Sequence, residues 1–140
     1  MTDPELSGRL ALVVGRLYRR IRIVDGGLSH GLLSALATTA KHGPLRLAEL
    51  AERELVAAPS ATRFVAELES HGYVQRAVDP ADGRAFLVEV TALGLETIQL
   101  ARAARGAVMA DLLAELGEDD AALVAAALPA LELMAQKAWS

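Results

Sequence analysis

The chain contains no cysteine, which removes disulfides, thiolate metal sites and thiol redox switches from consideration. Aromatic residues make up 4% of the 140 residues; Tyr18, Trp139 and the two phenylalanines read as packing residues. No apolar run approaches the roughly 18 residues of a membrane span, so no membrane partner is expected. Met1–Ser7 is too short and too acidic to open a signal peptide, and a cytoplasmic location is the default expectation. A basic tail is also missing. Residues 1–40 sum to +2, residues 41–90 to −2 and residues 91–140 to −4, giving the net −4 of the whole chain. Any nucleic-acid binding must therefore come from local geometry rather than from a bulk positive field.

Catalytic signatures are lacking as well. There is no nucleophile elbow, no phosphate-binding glycine loop and no zinc-protease motif. The 18 acids guarantee accidental carboxylate pairs, so such pairs carry no weight. His30, His42 and His71 are far apart and lack ligand spacing, so no metal site is expected. No catalytic residue and no cofactor are assigned, and the chain does not read as an enzyme.

What is present is a 53% hydrophobic, 23% charged sequence, long enough to bury a real core and too apolar for a disordered chain. It contains no internal repeat. Asp3-Pro4 opens a first helix in the N-cap and N1 pattern. Leu6, Leu10, Val13, Leu17, Ile21 and Val24 then recur every three or four residues, to about Asp25. Gly26-Gly27 ends this helix, and Ser29 can cap a second one that Gly43-Pro44 stops. A short third helix holds Leu47, Leu50 and Ala51. A fourth begins near Ala58 or Pro59, with Ala61, Phe64, Val65 and Leu68 inward and Pro59, Thr62, Arg63, Ala66 and Ser70 outward. His71-Gly72 closes it.

The helical period then breaks. Tyr73–Val78 and Arg84–Val90 alternate like strands around the turn Asp79-Pro80-Ala81-Asp82-Gly83. Thr91 can cap a fifth helix running to about Leu116, and Gly117 separates it from a last helix that opens on Glu118-Asp119-Asp120. Pro129 should kink that helix. The pattern is mainly α with a small β hairpin: a winged helix-turn-helix over about 29–94, whose second helix suits a DNA major groove. Long terminal helices flank it, over about 3–25 and 95–138. Their apolar stripes exceed what one small domain, 1–140, needs. Burial against a second copy in a two-fold homodimer is the natural solution.

Between Gly43 and Gly94 the segments "GPLRLAELAE", "PSATRFVAELESHGYVQR" and "DPADGRAFLVEVTALG" resemble the MarR family of winged-helix transcription regulators. Leu68-Glu69 with Gly72 matches the end of the family's recognition helix. Asp82-Gly83-Arg84 matches its wing motif, and Thr91 with Gly94 its next helix start. The resemblance implies a homodimer that binds a pseudo-palindromic operator in double-stranded DNA, usually as a repressor and often released by a small-molecule effector. Two positions depart from it. Where such proteins often carry Ser or Thr at the third and fourth helix starts, this chain has Arg46 and Ala57 or Ala58.

The candidate DNA-contacting residues are Ser60, Thr62 and Arg63 on the fourth helix, Arg84 and Asp82 in the wing, and Arg46 and Arg76 as phosphate contacts. Arginine can bind guanine through two hydrogen bonds, and threonine can touch bases or phosphates. Arg84 suits a narrow, electronegative minor groove, with Asp82 shaping the arginine or the loop. The plain alternative is a solvated helix face and a local turn ion pair worth ~0–1 kcal/mol. Arg102 and Arg105 share the apolar stripe of the fifth helix with Ile98, Met109 and Leu112. They require an ion pair, an escape to water, or an acidic or phenolic ligand. The arginines of the first helix (Arg9, Arg16, Arg19, Arg20, Arg22) spread around its circumference, as on a dimer helix with polar edges. Two other readings stand beside the regulator: a winged-helix protein-interaction module without DNA binding, and a small-molecule binding protein or enzyme of unknown reaction.

Overall fold

The structure is a computed structural model describing residues 3–22 and 28–138. Its elements are α1 (Pro4–Arg22), α2 (His30–His42), α3 (Leu47–Glu54), α4 (Ala58–Ser70), β1 (Val74–Asp79), β2 (Asp82–Val90), α5 (Ala92–Ala114) and α6 (Glu118–Lys137). This is the expected mainly helical chain with one antiparallel hairpin. The end of the first helix at Gly26-Gly27, and the packing of Val24 and Trp139, fall outside the described residues.

Caps explain where several helices begin. The Asp3 carboxylate accepts the Glu5 amide at 2.9 Å, the Ser29 hydroxyl accepts the Leu32 amide at 3.2 Å, and the Thr91 hydroxyl accepts the Gly94 amide at 3.1 Å. Each satisfies an amide that the first helical turn leaves without an internal partner. α3 and α4 start at Arg46 and Ala57 with no side-chain cap. α4 ends in a Schellman-type closure. Gly72 adopts φ +77°, and the Tyr73 amide reaches back to the Leu68 carbonyl at 3.0 Å. α6 continues through Pro129.

The chain divides into two compact units, residues 1–105 and residues 106–140. In the first, Leu32, Leu33 and Leu36 of α2 pack with Leu50 of α3, Val65 and Leu68 of α4, Val74 and Val88 of the hairpin, and Ile98 and Ala101 of α5. The first half of α5 is thus tied into the core of the winged helix. Leu45, just before α3, exchanges two backbone hydrogen bonds with Val88, at 2.9 and 2.7 Å. The loop into the helix-turn-helix is thereby anchored to the wing's return strand. α1 buries no residue and leaves Leu6, Val13 and Leu17 at 62%, 50% and 40% exposure. In the second unit α6 likewise buries none, with Leu123, Leu128 and Leu133 exposed.

Candidate nucleic-acid interface

α4 has the two faces its sequence predicts. Ala61, Val65 and Leu68 are buried and Phe64 is half-buried, while Pro59, Thr62, Arg63, Ala66 and Ser70 are exposed. On the outer face, Arg63 Nη2 donates a long hydrogen bond (3.4 Å) to the Ser60 hydroxyl one turn earlier. The Thr62 hydroxyl donates to the Ala58 carbonyl at 3.0 Å. Among the described residues, no carboxylate lies within ion-pair distance of Arg63 or Arg84.

The hairpin is regular from Val74↔Val90 to Val78↔Phe86 and then slips, because Asp79 pairs with Asp82. Gly83, Arg84 and Ala85 lie in the irregular stretch between those two pairings. Arg84 therefore sits at the tip of the wing, whereas the alternation of the sequence puts it at the first residue of the return strand. The Asp82 carboxylate accepts the Arg84 amide at 3.0 Å, so Asp82 shapes the backbone of the tip.

The other two arginines proposed as phosphate contacts are engaged within the chain. Arg46 donates from Nε at 2.7 Å and from Nη2 at 2.6 Å to the same oxygen of Asp79. The Asp79 side chain is 5% exposed, that of Arg46 48%. The other Asp79 oxygen accepts the Ala81 amide at 2.9 Å. The Ala81 amide holds the Asp79 carboxyl below its ordinary pKa; burial pulls the other way, and Arg46 and the Asp82 amide add to the lowering. Arg76 pairs with Glu69 at 3.1 Å, which ties the end of α4 to the wing, and lies 4.3 Å over the Phe86 ring of the facing strand, a cation–π contact within the wing.

Sequence reasoning missed the Arg46–Asp79 bridge, and also Glu54, whose carboxylate accepts hydrogen bonds from both Ser34 (2.7 Å) and Thr38 of α2. Both join residues far apart in the chain, for which the sequence holds no local signal. Arg102 lines a concavity of about 390 Å³ with Ser34, Thr38, Lys41 and Gln99, between α2 and the first half of α5. Arg102 and Arg105 line a neighbouring one of about 210 Å³ with His30.

This arrangement — a solvent-facing second helix of a helix-turn-helix beside an anchored wing — agrees with comparisons to known proteins. The MarR family profile matches residues 28–86. A curated relative, an HTH-type transcriptional regulator of Mycobacterium tuberculosis, is 40% identical over 121 residues, 85% of each chain. The chain belongs to the MarR family. Solved structures extend the likeness over the rest of the fold. A putative transcriptional regulator of Pseudomonas aeruginosa shares 28% identity over 94% of each chain with a TM-score of 0.84. A transcriptional regulator of Thermotoga maritima shares 26% over 96% of each chain with a TM-score of 0.77. MarR-family proteins are transcriptional regulators, not enzymes, and they bind DNA and work as dimers. Among the described residues, no helix is long and apolar enough to cross a membrane.

Proposed function

We propose that the chain is a homodimeric repressor that binds a pseudo-palindromic operator in double-stranded DNA and is released by a small acidic or phenolic ligand. The observation that carries the DNA reading is the outer face of α4. Arg63 stands exposed there, and among the described residues it has no ion-pair partner and donates only a long hydrogen bond to the Ser60 hydroxyl, while the inner face is locked into the core. Arg84, exposed at the wing tip and without an ion-pair partner among the described residues, supplies a second cation for the minor groove. Arg46 and Arg76 act by positioning the wing, and touch phosphate only with donors left over from Asp79 and Glu69.

The exposed leucines and valines of α1 and α6 support the dimer, since a second copy would cover them. Two-fold symmetry then sets two copies of α4 about one DNA turn, roughly 34 Å, apart. The concavity beside α2, with Lys41 and Arg102 in its wall, supports an anionic ligand. Such a ligand acts by differential affinity for two spacings of the paired recognition helices.

Selection of duplexes from a random-sequence pool by the full-length protein, followed by titration of the selected duplex at several salt concentrations, tests this reading. Specific, salt-dependent binding of one dimer per two-fold site is expected. A dimer that selects no sequence would favour the protein-interaction module, which the low charge of the lobe and the engaged Arg46 and Arg76 make the natural second reading.

A further inference from the structure

The exposed face of the first turns of α4 carries one charge, that of Arg63, and two methyl groups, those of Thr62 and Ala66. Pro59, Thr62, Arg63 and Ala66 fall on one exposed stripe at spacings of three and four residues. Arg63 is the only cation of the helix, and its acids, Glu67 and Glu69, lie in the last turn. A recognition helix reads base edges mainly with its N-terminal turns, here the turns that carry Pro59, Thr62, Arg63 and Ala66. The single threonine of this stripe has already used its proton, because the Thr62 hydroxyl donates to the Ala58 carbonyl. A hydroxyl with its donor engaged offers the groove a lone pair and, beside it, a methyl group. In the major groove the matching apolar feature is the C5-methyl of thymine.

We propose that Thr62 is a specificity-determining residue that reads a thymine by methyl-to-methyl contact, with Ala66 extending the apolar strip and Arg63 reading a neighbouring guanine. The proposal rests on the DNA-binding reading and goes beyond it by naming the base and the chemical group. The half-site then contains a thymine next to the guanine that Arg63 binds. The discrimination at that position is hydrophobic rather than ionic, so it persists as salt is raised while overall affinity falls.

The probe is the duplex selected by the full-length protein, compared with duplexes in which each thymine in turn is replaced by deoxyuridine. Deoxyuridine lacks only the methyl and keeps every hydrogen-bonding group. One thymine per half-site should cost about fourfold in affinity when replaced, the worth of one buried methyl. Thr62→Ser removes the protein's methyl and keeps the hydroxyl. It should lose a similar factor at each half-site of the thymine duplex, about sixteenfold in all because both protomers change, and no longer distinguish thymine from deoxyuridine at that position. Thr62→Val keeps a methyl and loses the oxygen, and should retain both affinity and discrimination. Thr62 is exposed and outside the core, so thermal melting of both variants should match the parent. Equal binding of all deoxyuridine duplexes overturns the proposal while leaving DNA binding intact. So does a serine variant that still discriminates, or a valine variant that loses as much as serine, which would give the contact to the hydroxyl oxygen. Failure to select any duplex overturns the DNA reading itself, and this proposal with it.

Discussion

Arg46, at the start of α3, places Nε and Nη2 at 2.7 and 2.6 Å from one oxygen of Asp79 at the end of β1, 33 residues away. The other oxygen of Asp79 caps the Ala81 amide at 2.9 Å. One carboxylate thus shapes the wing turn and fastens it to the helix-turn-helix. Removing it frees the Ala81 amide and leaves a guanidinium without its partner. Asp79→Ala and Arg46→Ala should both lower the melting temperature and the hydrogen-exchange protection of the hairpin. Their effects should be markedly non-additive in the double variant, as expected for two halves of one contact. Additive effects would mean that the bridge does not form in solution.

The same carboxylate carries a pH dependence of definite sign. The Ala81 amide, opposed by burial and assisted by Arg46 and the Asp82 amide, lowers the pKa of Asp79 in the folded chain. The unfolded chain therefore takes up this proton first as pH falls. The group's stabilising contribution is complete above the unfolded value, about pH 4, and drains away as pH falls through the folded value. A carboxyl-carbon NMR titration should give Asp79 a midpoint below the usual aspartate value, and Arg46→Ala should raise it. Asp79→Asn should remove this group's part of the acid-limb slope. An ordinary midpoint in the parent would contradict the geometry.

Local periodicity and capping chemistry made much of this fold legible. Ala61, Phe64, Val65 and Leu68 point inward because their spacing matches the helical repeat, and Ser29 and Thr91 begin helices because their hydroxyls accept amides of the first turn. Tertiary partners were not legible. Arg76 looks like a phosphate ligand on its strand until strand pairing sets it over Phe86 and beside Glu69. Arg84 looks like the start of a strand until the slip between Val78 and Asp79 shows it in the irregular tip. Both outcomes depend on strand register, which one strand's sequence does not carry.

Gly94 gives a packing reason for the glycine that follows Thr91 in the family motif. It is buried in the first turn of α5. A Cβ there would stand 2.8 Å from Val90 Cγ2 and closer still to the Tyr73 carbonyl oxygen. Since that oxygen belongs to the backbone and accepts the Thr91 amide at 3.0 Å, it cannot swing aside. Gly94→Ala should destabilise the protein by about 1–3 kcal/mol, the usual range for overpacking, despite alanine's better helix propensity. Chemical denaturation measures this. An unchanged midpoint would require α5 to start farther from β2.

Leu55 is the one non-glycine residue with positive φ among the described residues, at φ 55°, ψ 43°. It ends α3 in a position that glycine fills at least strain. Its side chain is 72% exposed, so little burial is lost on removing it. Leu55→Gly should stabilise the protein by up to about 1 kcal/mol, the left-handed penalty less the extra chain entropy of glycine. Leu55→Ala should leave stability nearly unchanged, since alanine keeps the Cβ that causes the penalty. A glycine variant that melts lower than the alanine variant would show that the extra chain entropy of glycine outweighs the left-handed strain it relieves.

Arg63 and Arg84 differ in what they should contribute to DNA binding, and the difference is measurable. Arg63 lies on the exposed outer face of α4 beside Ser60, and in the proposed complex a bidentate contact from it to guanine is worth about 1–3 kcal/mol of discrimination. Arg63→Ala should therefore cost roughly tenfold or more on the selected duplex and relax preference at one base pair per half-site. Arg84 sits at the wing tip, its backbone held by Asp82, and in the proposed complex it would read groove width and charge rather than base edges. Arg84→Ala should weaken binding to all sequences more evenly and lower the salt slope by about one per wing. Arg84→Lys should recover the slope but not the full affinity, because an ammonium lacks the planar fork of the guanidinium. Both side chains are exposed and outside the core, so circular dichroism and melting should match the parent. Arginine-to-alanine variants that keep full affinity and an unchanged salt slope would move the interface away from α4 and the wing. An Arg84 variant that lost preference at a single base pair would instead make the wing a direct reader of sequence.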